Sequence, residues 1–356
     1  MRHEELLRYH AAKYPLMRPE DLVKLCYQAS FGAGHMLKNP GAVLEWLKAE
    51  YNAAEPVGGE LFEPLPGGYA RLYLGAAKSG GILPELVLAL FSATASVEPD
   101  NDALARFLEL IELAKSLAES DVFSFSRAEL EGYLAGYLKD GEIPPPVSHS
   151  EVYRQEYYPH YRIVDARFVP LFELCKDIYN LSRGEGKRVV AAFDGRCASG
   201  KTTAAELISR AFGAEVVHCD DFFLPPHLRT PERYAEPGGN IHYERFAEEV
   251  VARLHSCEPF EYGVYDCSWG KITRRAKVSG SPLVIVEGAY STHPRFGRYY
   301  NIFAFFDISP EEQMARIVKR EGEEGWKAFS ERWIPLEEAY IAATDAMSRA
   351  DIVVRT

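Results

Sequence analysis

Residues 189–203 read VVAAFDGRCASGKTT, an apolar β-branched run that passes directly into Gly195-x4-Gly200-Lys201-Thr202 and then into helix-compatible residues. This Walker A pattern constrains the fold more than any other stretch. It requires a strand, a glycine-containing loop and a helix N-terminus in immediate succession. In such a loop the backbone N–H groups of Gly195 and of Ala198, Ser199, Gly200, Lys201, Thr202 and Thr203 turn inward around a phosphate. Lys201 then neutralises β/γ oxygens, and the Thr202 hydroxyl ligates Mg²⁺. The helix N-terminus adds its partial positive charge to the same anion.

From Arg188 onward the pattern alternates strand, loop and helix, which is the signature of a parallel α/β sheet. The expected strands are Val189–Phe193, Glu215–Cys219, Leu283–Val286, Ile302–Phe306 and a short Ile352–Val354. Such uninterrupted apolar runs suit strands covered on both faces. Before Arg188 the chain reads mainly helical, with apolar residues at helical spacing in Gly41–Tyr51, Leu83–Phe91 and Leu104–Leu117. Gly67–Leu74 alternates after a glycine turn and suits a short strand. A helix is expected over Ile163–Leu181. The fold class is therefore α/β, with a C-terminal P-loop domain on a parallel sheet preceded by a mainly helical domain. The expected bounds are 1–170 for the helical domain, 171–187 for a linker helix and loop, and 188–356 for the P-loop domain.

The chain has 356 residues, more than one core usually serves. Its formal net charge is −12, which argues against a general nucleic-acid binder. No apolar run is long enough to cross a bilayer, and the charged, amphipathic start has no signal-peptide core, so a cytoplasmic protein is expected. Homo-oligomerisation is left open. The six cysteines are scattered without metal-ligand spacing and read as free thiols. Cys197, inside the phosphate loop, is placed where N–H dipoles would lower its pKa.

In open α/β sheets ligands sit beyond the carboxyl ends of the strands. That rule turns Asp220 and Asp221, after the second strand, toward the phosphate loop. A carboxylate there can accept the proton of an attacking hydroxyl. Glu287 ends the third strand, the position of a Walker B-type carboxylate that holds Mg²⁺. Arg316, Lys319 and Arg320 share one helix face, which suits a lid whose charges stabilise a transferring phosphoryl group.

Taken in order, GRCASGKTT, DDFF (Asp220–Phe223), GGNIHYERF (Gly238–Phe246), VYD (Val264–Asp266), VEGAY (Val286–Tyr290) and ARIVKR (Ala315–Arg320) resemble the uridine kinase/phosphoribulokinase group of P-loop kinases over about Arg188–Thr356. The resemblance implies phosphoryl transfer from ATP, with Mg²⁺, to a hydroxyl of a small molecule; a nucleoside leads, and another sugar-like or acidic metabolite is the alternative. It makes Asp220 the base, with Lys201, Arg316 and Arg320 completing the catalytic set. Asp221, Phe223, His242, Tyr265 and Asp266 fall on the acceptor side. Phe223 stands where uridine kinases carry a tyrosine. His242 stands where they carry an aspartate for the ribose hydroxyls, and histidine offers one donor and one acceptor where a diol needs two acceptors. The histidine that follows the tyrosine–aspartate pair in nucleoside kinases is missing here. Arg332 is a second lid residue, and Trp333 reads as packing. A nucleotide-hydrolysing switch controlling the front domain is the reading from a different class.

The front half loosely resembles a bacterial domain of unknown function through Leu22–Leu37 and His149–Arg162. His149, Tyr153, Arg154, Tyr161 and Arg162 are read chiefly as a helical core with satisfied tyrosines, and secondly as an anion pocket. A metal site from His35, His149 and His160 lacks tight ligand spacing.

Overall fold

The computed structural model describes residues 3–34, 40–139, 143–184 and 186–356. The chain divides into two compact units, Met1–Val169 and Pro170–Thr356.

The first unit is built from helices α1 (His3–Lys13), α2 (Pro19–Phe31), α3 (Pro40–Ala53), α4 (Leu74–Ser79), α5 (Pro84–Ala95), α6 (Ala103–Ala118), α7 (Arg127–Tyr137) and α8 (Glu151–Tyr157). A small sheet runs through them in the order β1 (Phe62–Pro64), β2 (Tyr69–Tyr73), β3 (Tyr161–Asp165). Helix starts follow local chemistry. Pro19 opens α2 with Glu20 and Asp21 in its first turn, where the fixed φ and acidic charge both suit the helix end. Ser126 and Glu129 form a reciprocal capping box on α7. The core gathers Leu22, Leu25 and Phe31 of α2 with Phe107, Leu110 and Ile111 of α6.

The expected helix over Ile163–Leu181 begins later than its apolar pattern suggests. Tyr161–Asp165 is strand β3, antiparallel to β2 with Tyr73 opposite Tyr161. The aromatic and β-branched run Tyr-Arg-Ile-Val favours a pleated, half-buried surface. The helix, α9, then runs from Phe168 to Ser182.

The second unit carries a five-stranded sheet whose paired strands are all parallel, in the order β10 (Ile352–Arg355), β9 (Ile302–Asp307), β4 (Val189–Gly195), β8 (Leu283–Glu287), β5 (Glu215–His218). Every residue of β4 and of β8 is buried. β4 therefore lies at the centre, and the loop leaving it opens at the carboxyl end between two neighbours. Helix α10 (Lys201–Phe212) starts directly after Gly200. Short helices α11 (Pro231–Ala235), α12 (Tyr243–Phe246) and α13 (Ala252–Leu254) precede the hairpin β6 (Phe260–Asp266) and β7 (Lys271–Val278). The hairpin was not foreseen because Lys271–Val278 is mostly exposed and charged, leaving no apolar alternation to read. Helices α14 (Pro310–Ala328) and α15 (Ile334–Thr344), joined by a π-helical turn at Phe329–Trp333, lie between β9 and β10 in sequence.

Candidate active site

A cavity of about 590 Å³ lies wholly within the second unit. Its floor is the loop between β4 and α10. Gly195 has φ 129°, and a Cβ there would lie 2.2 Å from the carbonyl oxygen of Phe306, so only glycine fits. Behind the loop Asp194 is fully buried. Its carboxylate accepts from the Gly195, Tyr290 and Thr292 amides and from the Thr292 and Tyr340 hydroxyls. Five donors on one carboxylate fix the phosphate loop and the loop after β8 to each other.

Lys201 is buried and donates to the carbonyls of Gly195 and Arg196 at 2.9 and 2.8 Å. It is thus held over the loop it would serve. Thr202 donates to Glu287 at 3.1 Å, so the hydroxyl and the strand-end carboxylate face each other across the cavity floor. Their two oxygens suit a hard cation such as Mg²⁺, which takes one or two protein ligands and completes its shell with water and phosphate. The other Glu287 oxygen lies 2.5 Å from His218 Nδ1. That bond raises the His218 pKa above its ordinary value. Sequence reasoning missed His218. Its role depends on the parallel register that pairs His218 with Glu287 and sets the ends of β5 and β8 side by side, which the local sequence does not carry.

Asp220 lines the same cavity. Its side chain is open to the cavity, yet protein closes around it on most sides. Desolvation first, and the neighbouring Glu287 second, push its carboxyl pKa up. Asp221 is placed differently. Burial raises it as well, but Tyr262 hydrogen-bonds its carboxylate, and the Arg245 guanidinium holds its carbonyl at 2.5 Å. Phe223 lines the cavity with its ring 6.2 Å from that of Trp333, which lines it too. Trp333 therefore contributes a cavity wall as well as packing.

The remaining acceptor-side residues, His242, Tyr265 and Asp266, do not line the cavity. His242 caps α12, its Nδ1 accepting from the Arg245 amide while Glu244 approaches at 3.3 Å. The Tyr265 hydroxyl accepts from Arg229, and Arg229 reaches the cavity. Asp266 accepts from the Ser268 and Trp269 amides in the hairpin turn. Arg229 and Asn240 are cavity residues that the sequence did not single out.

Arg316 and Arg320 of α14 line the cavity, whereas Lys319 does not. Arg316 donates to the carbonyl of Ala198 at 3.2 Å, and Arg320 pairs with Glu321. Gly322, at φ 76°, breaks the helix just beyond them. The Arg332 guanidinium stacks on Trp333 and Tyr234. From α15, Glu337 accepts the Cys197 amide at 2.8 Å, and Glu338 pairs with Arg196. Burial raises the Glu337 pKa despite the nearby Lys201.

One expectation is corrected here. The Cys197 thiol is pushed up, not lowered. Burial acts first and the Glu337 carboxylate second, and together they outweigh the attraction of Lys201. It is a poor thiolate site.

In the first unit His149, Tyr153 and Tyr161 are buried in a hydrogen-bonded network, and Arg162 pairs with Glu50 at 2.7 Å. Arg154 is exposed. His35 lies outside the described residues. His149 bonds Asp21 and His160 bonds Glu50. Among the described residues no group of three or more His, Cys, Asp or Glu could hold a metal. None of their helices is long and apolar enough to cross a membrane.

No protein-family model matches the chain. Among solved structures the chain is similar to a possible uridine kinase from Bacillus stearothermophilus, at 21% identity over 51% of this chain and 98% of that one, with a TM-score of 0.37. It is also similar to a protein from Silicibacter sp. TM1040 whose proposed identity is a fructose transport system kinase (19%, 51% and 98%, 0.42). A third similarity is to shikimate kinase from Bacteroides thetaiotaomicron (14%, 46% and 84%, 0.26). The strand order and the phosphate loop of this chain define its second unit as a P-loop α/β domain.

Proposed function

We propose that the chain is an ATP-dependent small-molecule kinase, moving the γ-phosphoryl group of ATP to a hydroxyl and releasing ADP. The observation that carries this reading is the placement of Asp220. Its raised-pKa carboxylate opens into the cavity that Lys201, Thr202 and Glu287 also line. Phe223, Arg229 and Trp333 wall the same cavity, room for an acceptor that a hydrolytic switch, whose nucleophile is water, does not need.

The roles follow from the groups present. The loop amides and Lys201 hold the phosphates. Thr202 and Glu287 would hold Mg²⁺, which when bound offsets phosphate charge. Asp220 takes the acceptor's hydroxyl proton as the phosphorus–oxygen bond forms. Arg316 and Arg320 stabilise charge on the transferring group. Asp221, engaged by Tyr262 and Arg245, positions the segment and leaves the base role to Asp220.

A nucleoside is the first acceptor to test, because Phe223 and Trp333 offer ring faces to a base. An acidic, hydroxyl-bearing metabolite is the second, because Arg229 reaches the cavity. A panel of hydroxyl compounds with ATP and Mg²⁺, read by the mass gain of one phosphoryl group, tests the reading. ATP turnover with no phosphorylated acceptor in the panel would transfer the assignment to the nucleotide switch.

A further inference from the structure

The first unit contains a second cavity, of about 1070 Å³, on which the phosphoryl-transfer reading makes no demand. Its floor is made by Tyr9, Lys13, Tyr14 and Tyr73, and its rim by the segment 53–60 and the end of α8. Behind the floor lies Glu63, fully buried, bonded to the fully buried Arg71 at 3.0 Å.

Counting hydrogens shows what the floor offers. The Tyr14 and Tyr73 hydroxyls lie 2.6 and 2.8 Å from the Glu63 carboxylate and 2.7 Å from each other, so their two hydrogens are taken up by Glu63 and by the contact between them. Toward the cavity they therefore present lone pairs and ring faces. The Lys13 ammonium has three donors, and three partners meet it: Glu63 at 2.7 Å, Glu60 at 3.4 Å and the Tyr9 hydroxyl at 3.0 Å. It also stands within 6 Å of the Tyr9, Tyr14 and Tyr73 ring centroids. An anion entering the cavity would have to displace one of those partners. A positively charged donor would meet acceptors and aromatic faces directly.

The rim has the same preference. Glu55, Glu60 and Glu156 line it against the single ammonium of Lys13, while Glu63 and Arg71 offset each other behind the floor. Apolar surface is held open there as well. Tyr158 is 70% exposed and Val57 58% exposed, and both line the cavity. Tyr158 also sits at φ 43°, a left-handed conformation that costs a non-glycine residue energy and is frequent at ligand clamps.

We propose that this cavity is a binding site for a small organic cation, an amine or quaternary ammonium carried on a flat or apolar body. Tyrosine faces and lone pairs take the charged head, and Val57 and Tyr158 take the body. The volume admits a drug-sized ligand.

The test titrates the full chain calorimetrically with benzyltrimethylammonium, benzyl alcohol and benzoate, three probes sharing a ring and differing in charge. Saturable binding of the cation at one site per chain is expected, with the anion failing to saturate. The exposed rim variants Glu60→Gln/Glu156→Gln together, and Tyr158→Ala alone, should each weaken the cation by about tenfold. Lys201→Ala, in the other unit, should leave its affinity unchanged. Benzoate binding as tightly as the cation, no saturation by the cation, unchanged affinity in the rim variants, or loss of affinity in Lys201→Ala would each overturn the assignment.

Discussion

Both units bury charged groups, and they use them in opposite ways. Around Arg71 and Glu63 the first unit closes a network through Tyr14, Gln28, Tyr73 and Tyr153, charge against charge and hydroxyl against carboxylate, with Arg71 Nε left without a hydrogen-bond partner among the described residues. Around Lys201 and Asp220 the second unit leaves its charges facing a cavity, with Asp220 raised by desolvation and by a like-charged neighbour. A closed network makes its own unit cohere. Cavity-facing charges destabilise the unliganded protein and are retained for what binds or reacts there. The two halves should therefore respond differently to the loss of one charge.

The largest separation is expected from Asp220→Asn. Transfer should fall by about 10²–10⁴-fold, the range for loss of a positioned base. The denaturation midpoint should hold or rise, because a desolvated carboxylate beside Glu287 has been removed. Rapid-quench assay and urea melts of the same preparation measure both. Transfer at the normal rate would make Asp220 a spectator and move the base assignment to Asp221. Asp220 should also act in its ionised form, so activity should be lost as the pH falls toward its raised pKa. The low-pH limb of kcat/KM reads this directly, and Asp220→Asn should abolish it.

The mirror-image variant is Glu63→Gln. It leaves Arg71 buried without its carboxylate, and breaking such a pair costs about 3–5 kcal/mol. Urea titration should show the loss, with hydrogen exchange at α2 and β2 amides locating it in the first unit. Phosphoryl transfer per folded molecule should be unchanged. A stability loss under about 1 kcal/mol would mean that water replaces the carboxylate's role, contrary to a closed network.

How much of this was legible depended on the range of the interaction. The phosphate loop is contiguous, and the sequence from Val189 to Thr203 carries strand, turn and helix start together, so its geometry could be read directly. The ends of β5 and β8 were legible as acids, Asp220 and Glu287, because the sheet rule turns strand ends toward the ligand. His218 was missed although it lies two residues before Asp220, since its significance depends on which strand lies beside β5. Asp194 was missed because four of its five donors lie 96 to 146 residues away. The Arg71–Glu63 core left even less trace. Its members come from the turn after α1 and from α2, β1, β2 and α8, and a lone Glu in a short run such as Phe62–Pro64 resembles a loop. Local patterns encode elements well; buried polar networks are encoded only in the topology that assembles them.

The pH dependence of stability sharpens the same contrast at somewhat smaller size. Burial lowers the pKa of both His10 and His149 from 6.5 to about 4, with Arg71 reinforcing the shift and Glu63 or Asp21 opposing it. Between pH 6.5 and 4 the unfolded chain binds protons that the folded chain refuses. Stability must therefore fall as the pH is lowered through that window, by at most about 3 kcal/mol for each ring. Glu63, with its pKa lowered to about 2, stays ionised in the folded chain, but its unfolded carboxyl takes up protons below about pH 5, so it adds a slope of the same sign at the acid end of the window. Urea midpoints at several pH values, repeated with His10→Asn and His149→Asn, measure each share. A flat profile would show that the rings are not held neutral.

The smallest effect comes from the same kind of pair placed at the surface. Arg127, exposed on α7, bonds Glu131 of the same helix and Glu119 at the end of α6, at 2.7 and 2.5 Å, distances shorter than the 3.0 Å of the Arg71 pair. Geometry alone would rank it with the buried pair. Water solvates each exposed partner after the other is removed, and salt screens the attraction. Glu131→Gln should accordingly leave the melting midpoint within the scatter of repeated scans, at low and at high salt alike. A shift approaching that of Glu63→Gln would mean that distance, not burial, governs these pairs, and the contrast between closed network and open cavity would lose its physical basis.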